Sequence, residues 1–136
     1  MDREIKFRGK LKSEDKWIYG FYYNTYVENK KIAVIIETYR TPKTHYTNGK
    51  LMSRSLEVFN ESVGQYTGLK DKDGKDIYEG DILEYRDEDN IKEIHKVFWG
   101  DASFQCAGQY LEHLYLTTNW KIIGNIYENP ELLEEK

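Results

Sequence analysis

Four basic residues, Lys6, Arg8, Lys10 and Lys12, stand at every second position near the start of this 136-residue chain. In an extended strand that spacing puts all four on one side, about 6.6 Å apart and close to the phosphate repeat of a single nucleic-acid strand. Trp17, Tyr19 and Tyr22 follow closely and supply rings on which bases could stack. The plainer reading is a solvated strand face whose cations pair with acids on a neighbouring strand. Nucleic acid is therefore one expected partner, with the plainer reading set beside it.

Other residues that could do chemistry group poorly. Asp71, Asp73 and Asp76 with Gly74 invite a calcium loop, which wants oxygen ligands at positions 1, 3 and 5 and glycine at 6. Counted from Asp71, glycine falls at position 4 and Lys75 at position 5, so the Asp-Gly pair reads as a hairpin turn. His45, His95 and His113 share no metal-ligand spacing. Cys106 lies in Phe104-Gln105-Cys106-Ala107, which reads as a strand, so it is expected to be a small buried hydrophobe. The run Asp87-Glu88-Asp89 reads as a solvated loop tip. No nucleophile elbow or glycine-rich phosphate loop occurs. No catalytic, cofactor-binding or metal-binding residue is assigned, and no enzyme activity is expected.

The elements that would position these residues are short strands. Residues 4 to 12 alternate, with Ile5, Phe7 and Leu11 on the apolar side. A polar turn at Ser13–Lys16 leads into the aromatic run Trp17–Tyr23, which predicts a hairpin. A second turn at Glu28–Lys31 precedes a strand over Ile32–Thr38. From Arg40 to Arg54 no period survives, and Thr41-Pro42 and Thr47-Asn48-Gly49 mark an exposed loop. Further strands are expected at Val63–Leu69, Ile82–Tyr85, Ile94–Trp99, Ala102–Ala107 and Trp120–Ile126. Tyr110, Leu111, Leu114 and Tyr115 have helical spacing and predict a short helix over Gln109–Leu116. Asn129 and Pro130 read as the N-cap and first residue of a closing helical turn. The fold class expected is mainly β. It comprises a short-strand N-terminal β region over residues 1–60, with a variable loop near 40–54, and a C-terminal SH3-like small barrel over 61–136.

Composition narrows the classes. The net charge is −4, which argues against sequence-independent DNA binding without excluding a local basic patch. The longest apolar run, Ile32–Ile36, has five residues, where a bilayer span needs roughly 20, so no membrane partner is expected. A single cysteine and a charged N-terminus without an apolar leader fit a reducing cytoplasm. Twelve tyrosines suit half-buried strands and protein interfaces alike.

Three segments carry a resemblance. They are Arg3–Gly9 (REIKFRG), Val63–Ile82 (VGQYTGLKDKDGKDIYEGDI) and Ile122–Leu132 (IIGNIYENPEL), together 38 of the 136 residues. The chain resembles the YopX family of bacteriophage and prophage proteins, whose pattern falls on Gly64, Gln65, Tyr66, Gly68, Asp71, Gly74, Gly80, Asp81, Gly124, Asn125, Asn129 and Pro130. The resemblance implies a largely β fold, a phage or prophage origin in a bacterial host and assembly as a homo-oligomer. It supplies no catalytic residues. The motif glycines are expected to provide backbone angles that other residues adopt at a cost. The function expected is a non-enzymatic interaction or assembly module, whose partner is a second copy or an unidentified phage or host protein. The alternative is a nucleic-acid-binding module using the basic N-terminal strand face.

Overall fold

The computed structural model describes residues 4–41, 49–100, 103–106, 109–110 and 119–134. The chain is mainly β and divides into two compact units, Ile5–Gly64 and, with Glu4, the part from Gln65 onward.

The first unit is an antiparallel sheet of β1 (Phe7–Lys10), β2 (Trp17–Val27), β3 (Lys30–Arg40) and β4 (Leu51–Val58), paired in chain order. Glu28 and Asn29 join β2 to β3 with φ of 51° and 65°. Two successive left-handed residues make the tight hairpin turn whose twist matches that of the strands it joins. Alternation along β2 sends Ile18 and Tyr22 inward, where Ile18, Ala33, Ile35, Val58 and Leu11 form the buried core. Each Ile, Leu or Val side chain there contributes about 1.5–3 kcal/mol by leaving water. Gly9 lies under Val58, and a Cβ there would stand 2.7 Å from a Val58 methyl. Beyond β1 the chain bridges back to the end of β4 at Leu11 and Val58. The Lys12 N–H donates to Glu57 O at 3.3 Å and the Phe59 N–H to Lys10 O at 2.9 Å.

The second unit contains β5 (Gly64–Lys70), which starts at the junction, β6 (Asp76–Tyr78), β7 (Asp81–Arg86), β8 (Lys92–Lys96), β9 (Phe98–Gly100), β10 (Ser103–Cys106), β11 (Gln109–Tyr110) and β12 (Trp120–Asn125). β5 pairs with β6, β7 lies between β12 and β8, and β10 lies between β9 and β11. Ile77, Leu83, Val97, Phe104, Cys106 and Trp120 form the core.

Several expectations change here. The helix expected from Gln109 does not begin there: Gln109 and Tyr110 pair as a strand with Cys106 and Gln105, while Leu111–Leu116 lie outside the described residues. Leu51–Arg54, read as loop, belong to β4, whose middle is exposed on both faces and so shows no alternation. Ile5, assigned to the apolar face, lies outside β1 and is exposed.

Candidate functional site

The family motif of the second unit is used on its own backbone. The turn joining β5 to β6 is organised by Asp71, which is buried. Its Oδ1 accepts from the Asp73 and Lys75 N–H groups, both at 2.9 Å, and its Oδ2 accepts from the Ile122 N–H of β12 at 3.0 Å. One carboxylate thus shapes a turn and ties it to a strand 51 residues away. Burial works to raise the Asp71 carboxyl. The hydrogen bonds from Ile122, Lys75 and Asp73, with the charge of Lys75, outweigh it and hold the group below its ordinary value. Gly74 takes φ of 81° at the tip.

Asp81 plays a similar part at the next turn: it is buried, and its Oδ2 accepts from the Tyr78 N–H at 2.7 Å. The Glu79 N–H in that turn donates to Gln65 O at 2.9 Å, and the Tyr66 and Tyr78 rings pack 5.5 Å apart. Near the end of the chain, Asn125 Oδ1 accepts from the Tyr127 and Glu128 N–H groups at 3.0 and 2.9 Å.

Two readings of the motif need correction. Asn129 does not cap the closing 3-10 turn (Pro130–Leu133) with its side chain; its Oδ1 instead accepts from the Asn125 N–H at 3.2 Å, fastening the turn to the end of β12. Gly68, Gly74 and Gly80 have positive φ, but Gly64 and Gly124 do not. At Gly124 the constraint is space, because a Cβ would stand 2.6 Å from Asn129 Oδ1.

The basic stripe sits differently. Lys6 precedes β1, Arg8 and Lys10 lie on it and Lys12 follows it. Arg8 is only 9% exposed, with its guanidinium 5.0 Å from the centre of the Trp17 ring. The Lys10 side chain is 11% exposed, lies over the same ring and is paired with Asp15. That hydrogen bond and charge hold the Asp15 carboxyl below its ordinary value. Lys12 pairs with Glu57 at 2.8 Å. The four cations are therefore not a continuous solvent-facing row.

The aromatic residues also sort differently from the expectation that grouped Trp17, Tyr19 and Tyr22. Tyr22 turns inward against Phe7, ring centres 5.3 Å apart. The outward row is Trp17, Tyr19, Phe21 and Tyr23, with the last three 49%, 60% and 43% exposed. Phe21 and Tyr23 escaped the sequence reading, although period two from Trp17 and Tyr19 pointed to them. Arg8 stands opposite Tyr19 and Lys10 opposite Trp17, so cations and rings share one side of the sheet.

Charge divides as sharply as exposure. Residues 5–64 hold eleven Lys and Arg against six Asp and Glu, a net +5, whereas residues 65–136 hold eight against sixteen, a net −8. Among the described residues no group of three His, Cys, Asp or Glu side chains could hold a metal ion. His95 lies beside Trp120, ring centres 6.1 Å apart, and His45 and His113 fall outside the described residues. Cys106, the chain's single cysteine, is fully buried. No described helix is long and apolar enough to cross a membrane.

A small, mainly β protein whose motif residues brace its turns is the class these observations define. The model of the YopX protein family matches residues 6–134, and the chain belongs to that family. Among solved structures it is similar to protein EF1440 from Enterococcus faecalis, at 26% identity and a TM-score of 0.56, over 98% of this chain and 100% of that one. No curated protein matches it.

Proposed function

We propose that the protein is a phage or prophage accessory factor of the bacterial cytoplasm, a non-enzymatic module that works by assembly with copies of itself. The observation that carries this reading is where its polar groups go. Asp71, Asp81, Asn125 and Asn129, four motif residues whose side chains suit acid–base or ligand chemistry, accept hydrogen bonds from backbone N–H groups. An acceptor so engaged holds a turn in shape. The SH3-like barrel reading of the second unit belongs to the same proposal, supported by short strands and tight turns around one core.

The surface offers contacts for assembly. Tyr26 and Val27 at the end of the β2–β3 hairpin are exposed, as are Ile91, Phe98 and Trp99 in the second unit. Apolar side chains with opposite net charges on the two units suit a head-to-tail contact between copies. Sedimentation velocity at micromolar concentration should show species heavier than the 16.2 kDa chain, shifting toward it at high salt. A single 16.2 kDa species at all concentrations would overturn this reading.

A further inference from the structure

The outer side of the first sheet carries a pattern that assembly does not require. Tyr19, Phe21 and Tyr23 are open rings at alternate positions of one strand, so they recur about every 6.6 Å. That interval is close to the step of an extended single nucleic-acid strand, and base stacking on aromatic side chains tolerates any sequence because every base has a π-face. Along the paired registers of β1 to β4, this side carries Arg8, Lys10, Lys30 and Arg40. Glu57 is the acid among those paired positions, and its charge is matched by Lys12 at 2.8 Å. Lys6 lies immediately before β1, two residues from Arg8. The unit bearing this face has a net charge of +5, although the whole chain is at −4. The overall negative charge therefore says little about this surface, because a polyanion reads the local field within about one Debye length.

We propose that the outer face of β2 binds single-stranded nucleic acid. Tyr19, Phe21 and Tyr23 stack on successive bases, Lys6 contacts phosphate, and Arg8 and Lys10 supply positive potential around Trp17. The proposal goes beyond the assembly reading, which uses the hairpin end and the second unit; Val27 and Lys30 lie where the two surfaces meet. A second copy of the chain is the competing occupant of this face, and the charge favours the polyanion. Exposed rings flanked by cations, with Asp15 and Glu57 the acids paired to Lys10 and Lys12, complement bases and phosphate, whereas a copy would have to bring further acids to this face.

The test is fluorescence anisotropy of labelled dT15 and rU15 with the full-length protein between about 50 and 300 mM salt, a range over which phosphate contacts weaken strongly. Binding should weaken steeply with salt. Phe21→Ala and Tyr23→Ala should each lower affinity about tenfold, and Lys6→Ala should reduce the salt slope by about 0.7. Tyr39→Ala, an exposed ring that alternation along β3 places on the side opposite Lys30 and Arg40, should leave the affinity unchanged. The proposal is overturned if neither binds at the lowest salt, or if binding ignores the ring substitutions. It is equally overturned if Phe21→Ala dissociates an oligomer while no oligonucleotide binds, since the face would then be a contact between copies. Circular dichroism of each variant separates a lost contact from a lost fold.

Discussion

The two units differ in what the motif polar residues of one and the β2 aromatic row of the other are used for. In the unit from Gln65 onward, Asp71, Asp81, Asn125 and Asn129 turn toward the backbone, and Tyr66, Tyr78 and Trp120 are buried. In the unit Ile5–Gly64, the aromatic row of β2 faces outward beside basic residues. The longest recognisable motif therefore lies where it maintains structure. The exposed chemistry lies where the motif is thin. Motif density here reports folding constraint, because a turn that needs one carboxylate at one position accepts few replacements, while an exposed ring row asks only for period two.

The same contrast exists between two turns of identical design. Asp71 and Asp87 each accept at Oδ1 from the N–H groups two and four residues on, at 2.8–2.9 Å. Each has a left-handed residue at the third step, Gly74 with φ of 81° and Asn90 with φ of 63°. They differ in what lies beyond. Asp71 is buried and has a further hydrogen bond to Ile122, whereas the hydrogen bonds of Asp87 are exposed.

Substitution should separate the two. Asp71→Ala leaves three backbone N–H groups without their acceptor, one of them on β12, and should cost about 2–4 kcal/mol in urea unfolding at pH 7. Because the folded Asp71 carboxyl sits below its ordinary value of 3.8, its contribution is fully present above that pH and is lost as pH falls through the lowered folded value. Asp71→Asn should therefore flatten the acid limb of the stability curve below about pH 4. Asp87→Ala, at an exposed turn where water can replace the lost acceptor, should cost about 0.5–1 kcal/mol. Equal costs at the two positions would erase the distinction.

Much of this architecture was legible in the residues. Period two located β1 and the start of β2, and Asp73-Gly74 located the β5–β6 turn. What could not be read locally was decided by partners distant in sequence. Whether Phe21 or Tyr22 faces the core depends on the register that seats Tyr22 opposite Ile35. Gln109 and Tyr110 begin a helical spacing, but β10 offers them an edge to pair with. Asn129 stands in cap position, yet the nearer donor is the N–H of Asn125, brought in where β12 ends. Net charge alone hides how charge divides, since −4 combines +5 over residues 5–64, −8 over residues 65–136 and −1 over residues 1–4.

The most direct test of this division of labour is an amide NMR titration of the full-length protein with dT15 at about 50 mM salt, where phosphate contacts are strong. Shifts gathered on Arg8–Lys10 and Trp17–Tyr23, with Asp71–Asp81 unmoved, are the predicted result. Shifts centred on Asp71–Asp81, or none anywhere, would contradict the account.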